Sequence, residues 1–199
     1  MISLPLVYTV LALITYTTSF WYLFIRLMSQ RSPNLLNYAL MVGLGLVLHG
    51  TVLYQDMMTP FGVNYDVFNL LSFTSGLMLA LSLILSLIRP ILPLNLIGIP
   101  VAAFGVILGF AFSQPTQVVN NHNFWLDLHI ILSLSAYAIL LMATIHALLL
   151  WFQDRELKKK QKRRIWVTLL PPFQVMESLL FDLIITGFGL LTAALMFGF

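Results

Sequence analysis

The 199-residue sequence contains no cysteine. Disulfides, thiol redox chemistry and cysteine-ligated metals are therefore excluded. Charge is scarce too: 9% of the residues are Asp, Glu, Lys or Arg, against about 25% in an ordinary soluble domain. No nucleophile–base pair, phosphate-binding loop or dinucleotide fingerprint is present, so no enzymatic signature can be read. No nucleic-acid partner is expected. The apolar stretches are continuous and lack the alternating ten-residue pattern of a membrane β-barrel. No basic segment precedes the first apolar run, which is also too long for a signal-peptide core. It is read as a retained span.

What fills the chain instead is apolar sequence, 60% of all residues. In hydrocarbon each backbone donor and acceptor must be satisfied within its own segment, which demands helices. The expected fold is all-α, a polytopic transmembrane helical bundle forming one domain over 1–199. Six spans are expected, at about 5–28, 35–54, 67–88, 92–112, 125–152 and 178–198. Asp66 is placed to cap the third. Arg89-Pro90 ends it, and Pro93 and Pro100 with three glycines make the fourth irregular.

Orientation follows from the cations. All ten Lys and Arg residues lie in or beside the connections after spans one, three and five. The positive-inside rule then puts both termini outside and the basic loop, 153–170, in the cytoplasm. That loop could meet anionic lipid, but an ordinary positive-inside stop signal is the simpler reading. Trp21, Tyr54, Trp151 and Trp166 read as interface anchors.

Four histidines remain as candidate chemistry. His129 lies one turn past Trp125, roughly 6 Å below it along the helix axis. His49 stands at the matching end of span two, so the two imidazoles are expected at similar depth, flanking a slot between helices. His122, in the linker before span five, could reach the same level. His146 lies about 25 Å along the helix from His129 and would belong to a second, inner site. Each intramembrane histidine has a bland alternative, a hydrogen bond to a neighbouring helix, against the functional one. Imidazole is a usual axial ligand of haem iron, and haem is flat and mostly apolar. Zinc is disfavoured because no ligand spacing supports it. Among the acids, Asp127 suits the first turn of span five. Asp182 falls at or inside the bilayer edge, where a partner from the Arg163–Arg164 region is expected.

The stretches LHIILSLSAYAILLMATIHALLLWFQDRELK (128–158) and LLPPFQVMESLLFDLIITGFGLLTAALMFG (169–198), with VLHG (47–50) and FNLLSFTSG (68–76), resemble the cytochrome c assembly superfamily. The resemblance is closest to its YpjD/HemX-like branch, relatives of the haem-handling proteins CcsA and CcmC. It covers most of the chain and is most specific over 128–198. It implies a multi-pass protein of the bacterial inner membrane, with haem as cofactor and cytochrome c maturation proteins or a tetrapyrrole-pathway enzyme as partners. In CcsA-type members the histidine opening the equivalent helix is an axial haem ligand at the outer face, and His129 holds that position. His49 and Trp125 are carried as further haem-contact candidates, and His146 as a weaker one. The tryptophan-rich haem-presenting segment of the family is absent, and members continue for about two more helices, so the chain is read as a fragment or a short form. Asp182 stands where the branch suggests a basic or neutral residue. Haem handling is the leading reading. A regulatory or scaffold role through the basic loop is the alternative, and a small transporter the third.

Overall fold

The structure is a computed structural model and describes residues 4–60, 62–114, 118–119, 124–158 and 170–198. His122, Trp166 and the Arg163–Arg164 pair lie outside the described residues, as does most of the basic loop. Six helices are described: α1 (Leu4–Met28), α2 (Leu35–Met57), α3 (Val67–Ile88), α4 (Asn95–Phe112), α5 (Phe124–Leu157) and α6 (Phe173–Phe197). All six are long and apolar enough to cross a membrane, α4 together with the 3-10 turn Leu92–Leu94 that leads into it. Arg26, Arg31, Arg89, Arg155 and Lys158 all belong to the connections at one end of the bundle, here the basic end.

Local chemistry sets the boundaries. The Asn34 side chain accepts from the Asn37 N–H at 3.1 Å and opens α2. The Asp66 carboxylate accepts from the Phe68 N–H at 3.0 Å and opens α3, as its position in sequence suggests. Two boundaries differ from expectation. Helix α5 continues through the first charged residues to Leu157 instead of ending near 152. Gln, Arg, Glu and Leu are good helix formers, and a helix leaving the bilayer has no reason to unwind at the first polar residue. Gln153 is buried there and donates to the Pro171 carbonyl at 2.9 Å, so the expected loop is tied down at both ends. Helix α6 starts at Phe173, not 178, because Pro171-Pro172 immediately precedes it and proline suits a helix entry.

The other end carries a feature that the sequence reading did not anticipate. Met58–Thr59 (β1), Gly62–Asn64 (β2) and Val118–Val119 (β3) form a small antiparallel sheet in the order β1-β2-β3. It stitches the α2–α3 connection to the α4–α5 connection. Buried Asn64 reinforces it, accepting from the Asp66 N–H at 3.3 Å and reaching the Asp56 carbonyl at 3.5 Å.

The helices pack as a four-helix group, α1–α4, and an antiparallel pair, α5–α6, joined chiefly where α3 meets α5. Helix α3 serves two cores at once. Leu79 and Leu83 join Tyr16, Tyr38, Val42 and Val106 within the four-helix group. Met78 joins Ile139, Met142, Met176 and Leu179 against the pair. Helices α3 and α4 approach closely because α4 presents Gly105 to Ser75, where any Cβ would collide with that side chain.

Candidate functional site

His49 is 1% exposed and held from both sides. Its Nδ1 lies 3.1 Å from the Tyr16 hydroxyl on α1, and its Nε2 3.0 Å from the Ser72 hydroxyl on α3. Gly76 on α3 makes room for the ring: a Cβ there would stand 3.0 Å from Cε1. Both ring nitrogens are engaged and the imidazole is enclosed by three helices. The sequence expectation is a ligand facing His129. The ring instead joins α1, α2 and α3.

His129 has a different environment. It is half-buried, and its Nδ1 lies 2.7 Å from the Ala194 carbonyl near the C-terminus of α6. A carbonyl only accepts, so the proton sits on Nδ1 and a neutral ring carries its lone pair on Nε2. That is the tautomer a metal-ligating histidine uses when a backbone carbonyl fixes its other nitrogen. The close approach needs Gly198, where a Cβ would fall 2.7 Å from the imidazole. One turn earlier, Trp125 stacks on Phe197 with centroids 5.7 Å apart and planes at 17°. Phe124 meets Trp125 edge-on at 5.5 Å. Sequence-expected His129 and Trp125 are thus brought together against the end of α6. Their aromatic neighbour Phe197 was missed, since nothing in the local pattern says which helix end would meet Trp125.

Between α2, α3 and α5, under the small sheet, lies an apolar cavity of about 430 Å³. Tyr54, Met57, Phe73, Ile131 and Leu134 line it, with Tyr65 and Asp127 at its polar edge. Gly50 and Ile130, the chain neighbours of His49 and His129, also line it, but neither imidazole does. The cavity thus lies beside both chain positions, and neither imidazole lines it. The Tyr65 hydroxyl donates to Asp127 Oδ1 at 2.9 Å, bridging the connection before α3 to the first turn of α5. Burial first, then the hydrogen bond and negative charge of Asp127, push the Tyr65 phenol up to about 12.

His146 is 2% exposed, and its Nδ1 lies 2.8 Å from the Met142 carbonyl of its own helix. It faces a space of only about 10 Å³, too small for a porphyrin. Asp182 pairs with Arg89, at the end of α3; the expected Arg163–Arg164 region lies outside the described residues. Arg89 also approaches the Ser178 hydroxyl at 3.5 Å. This partner had a signal in the sequence: Arg89 is the sole cation between spans three and four, and an acid at that level needs one. Among the described residues no group of three or more His, Cys, Asp or Glu is arranged to hold a metal ion.

Six apolar helices with alternating direction, a cation-rich end and a sheet-covered end define a multi-pass membrane protein. The chain matches the family described as Cytochrome C assembly protein over residues 4–199, and it belongs to that family. Its role accordingly lies in cytochrome c biogenesis. Neither the curated proteins nor the solved structures gave a match.

Proposed function

We propose that this protein handles haem at the extracytoplasmic end of the bundle, with His129 as the imidazole that meets the iron. The observation that carries the reading is the His129–Ala194 contact, which fixes the proton on Nδ1 and leaves the Nε2 lone pair for a metal. Trp125 and Phe197, stacked one turn away, offer an apolar aromatic surface suited to a flat ligand. His49 does not fit as the opposite ligand, because both its nitrogens already have hydroxyl partners. Haem bound there would supply an iron that an imidazole nitrogen can ligate. The protein's part is to hold the ring in one tautomer and one orientation.

The positive-inside rule places the basic end in the cytoplasm and the sheet-covered end, with His129, on the opposite side. Both termini then lie outside, and the membrane is the bacterial inner membrane. The partners are haem, the lipid bilayer and the cytochrome c maturation machinery on that face.

The test is a haem titration of purified protein followed in the Soret region. Wild type and His49→Gln are expected to saturate. His129→Ala is expected to lose at least tenfold in affinity, with its helical circular dichroism intact. A flat spectrum from folded wild type, or equal titrations for wild type and His129→Ala, would overturn the reading.

A further inference from the structure

We infer that the small cavity beside His146 is a binding site for a single water molecule, which joins His146 on α5 to the Ser82 hydroxyl on α3. His146 donates from Nδ1 to its own helix at Met142, so Nε2 carries the lone pair. Nε2 is fully enclosed and has no partner among the described residues. Leaving such an acceptor unpaired in an apolar interior is unfavourable, and native structures rarely tolerate it.

The surroundings select the ligand. Met78, Gly98, Met142 and Ile145 line the space, and among the described residues His146 and Ser82 are its polar side chains. Its volume is about 10 Å³, on the order of one water-sized sphere. The Ser82 hydroxyl donates to Asn95 Oδ1 on α4, so toward the cavity it presents lone pairs. Asn95 Nδ2 in turn donates to Ser86 at 3.0 Å, and the Ser86 hydroxyl donates to the Ser82 carbonyl at 2.7 Å. Neither Asn95 nor Ser86 is among the described residues that line the space, so the donors of that network lie away from it. Two acceptors therefore face a space that admits only a very small molecule with two donor hydrogens. Water has that chemistry. A carboxylate, a second imidazole or a tetrapyrrole does not.

The site also has a place in the architecture. The seam between α3 and α5 is pinned near one end by Tyr65–Asp127 and, by way of α6, near the other by Arg89–Asp182. A water between His146 and Ser82 adds a polar link in the membrane interior, between those two.

Water-edited solid-state NMR on histidine-, methionine- and leucine-labelled protein in lipid bilayers tests this. In wild type, magnetisation from water is expected to reach the His146 ring several times faster than Met176 and Leu79, which are as deeply buried but do not line the cavity. Nε2 is expected to show the shift of an unprotonated, hydrogen-bonded nitrogen. In Ser82→Ala the transfer to His146 should fall at least twofold. Transfer to His146 in wild type no faster than to Met176 would overturn the inference, whether or not the variant folds. Unchanged transfer in folded Ser82→Ala would equally overturn it.

Discussion

Replacing His49 by alanine separates a structural imidazole from a ligand imidazole. The ring is 1% exposed and touches hydroxyls on two other helices. Its removal leaves the Tyr16 and Ser72 hydroxyls without their partner and opens a ring-sized void between α1, α2 and α3. An unsatisfied buried hydroxyl costs about 1–3 kcal/mol in soluble proteins. Hydrogen bonds between membrane helices average about 0.6 kcal/mol by double-mutant cycles, so the lower end applies to each. The void adds about 2 kcal/mol, since a buried side chain of this size cut to alanine usually costs several. Together about 3–5 kcal/mol is expected for His49→Ala. Tyr16→Phe, which loses one hydrogen bond and no volume, should cost about 1 kcal/mol. The assay is reversible unfolding in mixed detergent micelles, read by circular dichroism, for wild type, both single variants and the double variant. The double variant should be less destabilised than the sum of the singles, because the two side chains share one interaction. If His49→Ala unfolds like wild type but loses haem-induced absorbance, the reasoning is refuted and His49 is a ligand.

Three further outcomes follow from the same coordinates. Gly105→Ala drives a Cβ into Ser75 at the α3–α4 contact and is expected to cost about 1–3 kcal/mol in the same unfolding assay, whereas Gly43→Ala, with nothing near its Cβ, should be neutral or better. Arg89→Ala strands the Asp182 carboxylate on a half-exposed, lipid-level face of α6 and should destabilise by about 2 kcal/mol, and adding Asp182→Asn should restore most of the loss. The Tyr65 phenol is raised from 10.0 to about 12, so the unfolded chain ionises first. Its contribution is complete below pH 10 and is lost as pH rises toward 12. Base-induced unfolding should therefore be less steep in that window for Tyr65→Phe than for wild type.

The six helices were legible because hydrocarbon leaves the backbone one solution per apolar run, and each run is long enough to cross. The capping role of Asp66 was legible for a similarly local reason. At the basic end α5 and α6 run beyond the expected spans, because charged residues there do not break a helix and Gln153 turns inward to Pro171. The small sheet escaped notice because strands of two or three residues carry no alternation to read. The histidines show the limit most clearly. Sequence spacing gave their depth along the helices but not their azimuth or their partners. Tyr16 and Ser72 lie 33 and 23 residues from His49, and only the packing of three helices brings them to its ring. His129 met a carbonyl of α6 rather than another histidine, and that contact is what leaves its Nε2 available.

The most direct measurement is an NMR titration of ¹⁵N-histidine-labelled protein with ferric haem. The His129 ring signals should broaden or shift away first and saturate at one equivalent, while those of His49 and His146 stay in place. Loss of the His49 signals with His129 unmoved would contradict the account.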